Sequence, residues 1–544
     1  MPARYGTMPK DDWEVLMTKH WILIGLALVL IGPVSAMTAD AAKFNVLETT
    51  IAAVHKAFRE GSLSCLELTQ TYLNRIARFD QPTGLNSILL TNDDATARAS
   101  ALDAEFAATG ILKPLHCVPM IIKDNYNVRG LQTTAGSKAM LGFMPEKDAW
   151  QIAKIKAAGA LVLAKSNMAE WAFSPRVTIS SVAGETRNPY NLDHVPAGSS
   201  GGTAAAVAAN FGLAGLGTDT GNSIRGPSSH TALVGIRSTL GLTSRSGIVP
   251  LFLRNDVGGP MTRSVADAVR ILQVIAGPDP SDPITESARD RYPDNVLERL
   301  QQGALQGVRI GVMRHLSERD HDPRVKTLFE SALKDLTRLG AVIVDPITIA
   351  DFDTLSANHW CQMFKHDLNA FLKDNADRSP MKNLQQIVDT GLYSDYIAED
   401  LKSNAAVIDP EKLRPPCKDL YRDERRVAYR TAVVQAMDKA NVRAIVYPSW
   451  NFPPARIGHP EDYRGDNSQV IAPHTGLPAV TVPMGFIEDL PAGLQFVGRL
   501  FSEATLLPLI FDYEQATQHR VAPKGFEALA PKPSAALGYK QGGA

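Results

Sequence analysis

The chain is short of cysteine and has no close cysteine spacing. Cys65, Cys117, Cys361 and Cys417 are the only four in 544 residues, and no two form a C-x-x-C pair. Such spacing excludes a zinc ribbon and a thioredoxin-like redox site, and it leaves open whether any pair is joined as a disulfide. Charge of one sign is also missing. Lys and Arg total 56 against 57 Asp and Glu, the formal net charge is −1, and no long block has a single sign. Nothing therefore marks a nucleic-acid or anionic-lipid surface. No apolar run reaches the roughly 20 residues that a membrane-spanning helix needs. There is no internal repeat, low-complexity tract or Pro/Ser linker, and no H-E-x-x-H or P-loop lysine motif; "GLGTDTG" misses the G-x-G-x-x-G spacing. No metal or cofactor is expected. What remains, 44% hydrophobic and 21% charged residues, is an ordinary globular composition.

The N-terminus departs from that average. "MTKH" precedes the apolar run "WILIGLALVLIG" and the small residues "PVSA" and "MTADAA". A basic start, a short apolar core and an A-x-A-like end form the pattern of a secretory signal peptide. Residues 1–42 are read as a targeting segment, with cleavage after Ala36, or alternatively after Ala41 or Ala42. The polar stretch before it makes Met17 a candidate initiator. The expected location is periplasmic or secreted, with no stable membrane span after processing; the alternative is an uncleaved N-terminal anchor.

Beyond that segment the chain alternates short apolar strands with helices. Apolar residues at helical spacing from Asn45 to Phe79 predict two helices joined at "EGSLS", and "NDDATARASALDAEFAATG" predicts another, ended by Gly110. Val118 to Ile122 reads as a buried strand that delivers Lys123. "WQIAKIKAAGALVLAKSNMAEWAF" reads as helix, strand, then a helix capped by Ser166. "GGTAAAVAANFG" reads as a small-residue helix leading into the strand "LAGLG". "GVRIGVM", "RVKTLFESALKDLTRLG" and "AVIVDPI" repeat strand–helix–strand, and "RAIVYPS", "AVTVPMGF" and "GLQFVGR" are further strands. Residues 350–440 are more helical and polar. This pattern predicts an α/β fold with a mixed sheet. Residues 43–530 are expected to form one domain, and 531–544 a C-terminal tail.

Three polar sites interrupt the apolar scaffold: Lys123, the turn "AGSSGG" (197–202) and "TDTGNSIRG" (218–226). "AGSSGG" also satisfies G-x-S-x-G, which would make Ser200 a nucleophile. That elbow needs an apolar strand before it, and "NLDHVP" is not one, so the elbow reading is set aside. Together the three sites resemble the amidase signature family. The glycine- and serine-rich signature matches Gly198 to Ser228 ("GSSGG", "GLGTDTG", "SIRGPS"), and the lysine motif matches "PLHCVPMIIKDN". "AKSNMAEWA", "TRNPYN", "GLTSRSGIVP", "GGPMTRSVADA", "TGLPAVTVPMG" and "LPAGLQFVG" support it. The likeness runs from about Val46 to about Gln518. It implies the amidase signature fold, a large central twisted mixed β-sheet covered by helices on both faces.

The resemblance also implies roles. Ser223 falls on the nucleophile, Ser199 on the bridging serine, and Lys123 on the general base, forming a Ser-Ser-Lys triad. The main-chain N–H groups of Thr220, Gly221, Asn222 and Ser223 fall on the oxyanion hole, and the peptide bond Gly198–Ser199 on one that is cis in the family. Asp219 and Arg225 read as supports of the turn rather than as acid or base. These roles suit the chemistry. A serine hydroxyl needs a base to become a nucleophile, and only a lysine whose pKa burial has lowered can serve near neutral pH. Glycine is expected in the turn for its unusual dihedrals. Asn222 replaces a usual glycine and is expected to be tolerated as a residue that accepts left-handed backbone. Cys117 also stands where glycine is usual, and it reads as a small buried hydrophobe.

The expected activity is hydrolysis of a linear carboxylic amide to acid plus ammonia or amine through an acyl-enzyme on Ser223. Alternatives are an amidotransferase A-type subunit, an esterase or carbamate hydrolase on the same site, and a non-catalytic binding protein. The expected partner is a small-molecule amide substrate, with no nucleic acid, and the chain is expected to be a monomer or homodimer. Met140, Phe143, Trp171, Phe173 and Phe252 are candidates for an apolar pocket wall. The 350–440 segment, with Trp360, is the place to look for selectivity.

Overall fold

A computed structural model describes residues 44–292, 295–357, 359–407 and 417–529. The expected signal peptide, its cleavage sites, the alternative initiator and the expected C-terminal tail all lie outside the described residues.

Eleven strands form one mixed sheet. In spatial order they are Ile88–Thr91, Leu161–Ser166, Pro119–Lys123, Ala214–Asp219, Val257–Thr262, Val234–Arg237, Ala479–Ile487, Leu490–Val497, Ala444–Pro448, Arg309–Val312 and Val342–Val344. The strands Leu161–Ser166, Pro119–Lys123 and Ala214–Asp219 pair in parallel, whereas Val257–Thr262 joins Ala214–Asp219 antiparallel. Helices cover both faces, so central strands such as "PMIIK", "LVLAKS" and "AIVYP" are buried at every position. Continuous apolar runs, without alternation, are what two-sided burial demands.

Most predicted elements are present, including helices Ile51–Arg59, Cys65–Thr83, Ala95–Thr109 and Trp150–Ala157. Gly110 ends the third of these with a left-handed φ of 68°. One expected helix is absent. After the strand Leu161–Ser166 the chain makes only a 3-10 turn, Glu170–Ala172, with Trp171 and Ala172 at φ 53° and 61°. Ser166 caps nothing and shares a hydrogen bond with Thr203 Oγ1 at 2.7 Å. The strands Val234–Arg237 and Val257–Thr262, both central, carried no clear sequence signal; "VGGPMT" has two glycines and a proline.

The four cysteines form two disulfides, Cys65–Cys117 and Cys361–Cys417. Cys117 is therefore a covalent tie, not merely a small hydrophobe. It fastens the start of helix Cys65–Thr83 to the loop that leads into the lysine-bearing strand. Titration without reductant should find no free thiol in unfolded protein, and free thiols would end this assignment. Cys65→Ser with Cys117→Ser should lower unfolding stability by about 2–4 kcal/mol, read from the urea midpoint.

Candidate active site

Lys123 sits at the end of a fully buried strand and is itself fully buried. Its Nζ donates to Ser199 Oγ at 2.7 Å and to Thr218 Oγ1 at 2.8 Å. Asn125 Nδ2 also donates to Thr218 Oγ1, at 3.1 Å. Among the described residues no carboxylate pairs with Lys123. Burial brings its pKa down to about 7, against the charges of Asp256 and Asp219, which act to raise it. A second buried lysine lies on the neighbouring strand and is a useful contrast. Lys165 Nζ is 2.9 Å from Asp124 Oδ1 and donates to Tyr126 O, Gln132 O and Thr133 Oγ1. Lys165 is thus neutralised by a partner, while Lys123 faces hydroxyls.

Ser199 is placed by a tightly walled turn. The Gly198–Ser199 peptide bond is cis. Gly198 N donates to Pro175 O at 3.0 Å, Ala169 N to Ser199 O at 3.0 Å, and Thr178 Oγ1 to Ala197 O at 2.9 Å. A Cβ on Gly198 would lie 2.4 Å from Val177 O and 2.5 Å from Ser174 O, so no side chain fits there. Ser200 is fully buried and uses its hydroxyl to bridge the main chain of Thr218, a structural role that agrees with setting the elbow reading aside. Ser200 N also donates to Ser223 O at 3.3 Å, joining this turn to the next one.

The second turn runs from Thr218 to Arg225. Neither Gly221 nor Asn222 has positive φ, so the dihedral explanation for glycine does not hold here. Gly221 is closely approached instead: a Cβ would stand 2.9 Å from the Trp360 ring and 3.1 Å from Gln469 Oε1, so those two side-chain ends would have to shift. Asn222 fits because its side chain turns toward Gly226 and donates to Pro175 O at 3.1 Å. Its Oδ1 has no partner among the described residues. The main-chain N–H groups of Gly221, Asn222 and Ser223 make no hydrogen bond within the described residues.

Asp219 organises the turn. Its carboxylate accepts from Arg225 Nε at 3.0 Å and Nη2 at 3.2 Å, from Arg237 Nη1 at 3.0 Å, and from Ile224 N at 3.2 Å. Burial opposes its ionisation, but the two guanidinium groups prevail and hold its pKa at about 2. Arg225 also donates to Gly221 O at 2.6 Å, Ser468 O at 2.8 Å and Gln495 Oε1 at 2.9 Å, which ties the turn to two further segments. Arg237 was not anticipated from sequence. Neither was Asp256, which accepts from Thr220 Oγ1 and from Leu251 N and Phe252 N. Both stand outside the signature in sequence, and a buried Arg or Asp carries no local motif.

Ser223 opens onto a cavity of about 280 Å³ whose lining includes Thr220, Gly221, Asn222, Leu251, Phe252, Trp360 and Gln469. Of the five aromatic and apolar candidates, Phe173 and Phe252 line it. Met140, Phe143 and Trp171 do not; they are buried in the apolar cluster behind it, with Trp171 edge-on to Phe364 at 6.1 Å. An adjoining cavity of about 370 Å³ is charged, lined by Arg176, Arg319, Asp320 and Asp466 among others. Gln469 borders both cavities and donates to Asp466 Oδ2 at 2.8 Å.

A buried lysine, two serines on tied turns, main-chain donors and an open cavity thus meet at one place. Comparison with known proteins places it more closely. The Amidase family model matches residues 67–507, and the chain belongs to that family. It is 35% identical to the A-type subunit of the glutamyl-tRNA(Gln) amidotransferase of Symbiobacterium thermophilum, over 87% of this chain and 97% of that one. It is 31% identical to a probable amidase of Arabidopsis thaliana, over 92% and 96%. Among solved structures it resembles the native peptide amidase of Stenotrophomonas maltophilia with a TM-score of 0.78 and 34% identity, covering 88% of this chain and 98% of that one. The amidase signature fold expected from sequence is the observed one.

The Asp219 network yields a stability prediction. Asp219→Asn leaves two buried guanidinium groups without their carboxylate, a change expected to cost about 3–5 kcal/mol in urea unfolding. The carboxyl pKa is depressed on folding, so the wild-type contribution is full above the unfolded value near 4 and fades as pH falls toward about 2. The gap between wild type and variant should therefore narrow in acid; a constant gap from pH 7 to pH 3 would refute the assignment.

Proposed function

We propose that the protein hydrolyses a carboxylic amide through an acyl-enzyme on Ser223. The observation that carries this reading is the fully buried Lys123, bound to Ser199 Oγ with no carboxylate partner among the described residues. A neutral Lys123 accepts a proton from Ser199 as Ser199 takes that of Ser223, and Ser223 Oγ attacks the amide carbonyl. The N–H groups of Thr220, Gly221, Asn222 and Ser223 offer donors to the oxyanion. Return of the proton through Ser199 expels the amine, and water then repeats the sequence to release the acid. In this reading the site needs no metal or cofactor, and the protein acts as a monomer or homodimer.

Support comes from the family and from the peptide amidase likeness. The second reading, a component of an amidotransferase, is favoured by one observation, the identity to the Symbiobacterium protein. The proposed export weighs against it. The pairing of all four cysteines suits an oxidising compartment, in line with the secretory pattern of residues 1–42.

Treatment with phenylmethylsulfonyl fluoride followed by peptide mapping tests the nucleophile. One adduct on Ser223, absent in Ser223→Ala and accompanied by wild-type turnover of simple amides, is the expected result. An adduct on Ser200 would replace this mechanism with the elbow. The pH profile tests the base. Lys123 must be neutral, so kcat/KM should rise with pH through about 7 and level off above it. Asp256→Asn removes a negative charge that favours the ammonium form, so the rising limb should move to lower pH; movement upward or no movement would count against Lys123 as the base.

A further inference from the structure

We infer that Trp360, stapled in place by the Cys361–Cys417 disulfide, is the residue that selects the substrate's apolar substituent. The inference takes its substrate class from the amide-hydrolysis reading above.

Trp360 lines the same cavity as Ser223, and its ring end stands 2.9 Å from where a Cβ on Gly221 of the Ser223 turn would lie. Trp360 is 46% exposed, unusual for so large an apolar side chain beside a deeply buried site, and consistent with a surface that a ligand covers. It packs edge-on against His474 at 4.7 Å and tilted against Phe252 at 6.1 Å. With Phe173, Leu251 and Phe252 it makes an apolar patch in a cavity whose lining also holds Asp400 and Asn404, whereas the adjoining cavity past Gln469 is lined by two arginines and two aspartates. The two sides differ enough in polarity for an aryl or branched alkyl group to have one favourable place, over the turn and against Trp360 and Phe252.

What holds Trp360 there is not regular structure. It lies between the helices Phe352–Ser356 and Phe364–Asp374, outside both. The next residue, Cys361, is covalently joined to Cys417. A few residues on, Asp423 caps the helix Glu424–Lys439 and accepts from Arg254 Nη2 at 2.9 Å. The disulfide thus adds a covalent tie to a loop that Arg426 Nη2, donating to His359 O at 2.6 Å, already holds to the helix Glu424–Lys439. Fixing that loop in advance removes ordering cost from binding.

The experiment compares kcat/KM for propionamide, 3-phenylpropionamide and N-benzylpropionamide in wild type, Trp360→Ala, Trp360→Phe and Cys361→Ser/Cys417→Ser. At least one aryl-to-propionamide ratio should exceed one in wild type and fall about tenfold in Trp360→Ala. Trp360→Phe should recover part of it, and the double serine variant should shift the same ratio in the same direction. Ratios unmoved by Trp360→Ala would overturn the selectivity role. A double variant that melts like wild type and keeps the ratio would overturn the staple. If that variant does not fold, mild reduction of wild type, with the opened cysteines mapped by alkylation, gives the same readout. Calorimetric binding of 3-phenylpropionamide and N-benzylpropionamide to Ser223→Ala, with and without Trp360→Ala, separates the two readings. Binding that depends on Trp360 in a protein whose wild type turns over no amide would sink the amidase reading and keep this subsite. Turnover of propionamide with no Trp360 effect would do the reverse.

Discussion

The structure turns on a lysine taken out of water without a counter-charge. Burial of an ammonium group is costly, and proteins usually meet that cost with a carboxylate, as Lys165 does with Asp124. Lys123 instead meets two hydroxyls, Ser199 and Thr218. Its neutral form then becomes accessible near physiological pH. This works only if every neighbouring carboxylate is already committed elsewhere. Asp124, next in sequence, is bound to Lys165 and Thr134; Asp219 is held by two arginines; Asp256 is occupied by Thr220 and two main-chain amides. The ion pairs around the site are best understood as keeping acids away from this lysine.

The same constraint explains why the site sits deep in a sheet covered on both faces. A strand end near the surface would hydrate the ammonium and return its pKa toward the ordinary lysine value. Here the strand Pro119–Lys123 lies between Leu161–Ser166 and Ala214–Asp219, and all three are buried along their whole length. Those neighbours supply more than cover. Ala214–Asp219 brings Thr218 to the lysine and Asp219 to the turn, while the segment after Leu161–Ser166 supplies the main-chain carbonyl groups that wall in Gly198 and Gly202.

The layered fold and the three polar sites were legible because each rests on a local pattern: apolar runs for buried strands, and glycine and serine clusters in known order for the turns. The parts not legible are those that depend on distant segments meeting. The strand Val257–Thr262 lacks a hydrophobic run because its glycines let other groups approach, a Cβ on Gly259 falling 2.4 Å from Ile236 O. Arg237 and Asp256 acquire meaning only once folding sets them against Asp219 and Thr220. Cys117 looked like a methyl-sized filler until Cys65, 52 residues earlier, came beside it. Aromatic residues separate into core and cavity only in the folded chain. Trp171 and Phe173 are two positions apart, yet the left-handed backbone at 171 and 172 sends one into the core and leaves the other on the cavity.

Asn222 shows how a departure from a familiar pattern is absorbed. Had the turn required left-handed backbone there, asparagine would have been tolerated for its dihedral preference. The backbone is ordinary, so the difficulty is volume. The carboxamide finds room because residue 226 has no side chain: a Cβ on Gly226 would stand 2.6 Å from Asn222 Nδ2. Its one side-chain hydrogen bond, to Pro175 O, ties the Ser223 turn to the segment whose Pro175 carbonyl also accepts from Gly198 N. The added side chain therefore links the turns that carry Ser223 and Ser199 rather than spreading them, and it leaves a buried Oδ1 without a partner among the described residues. Gly226 and Asn222 form a unit: replacing the glycine alone would push the carboxamide into the cavity, whereas a glycine at 222 would remove the pressure and the link together.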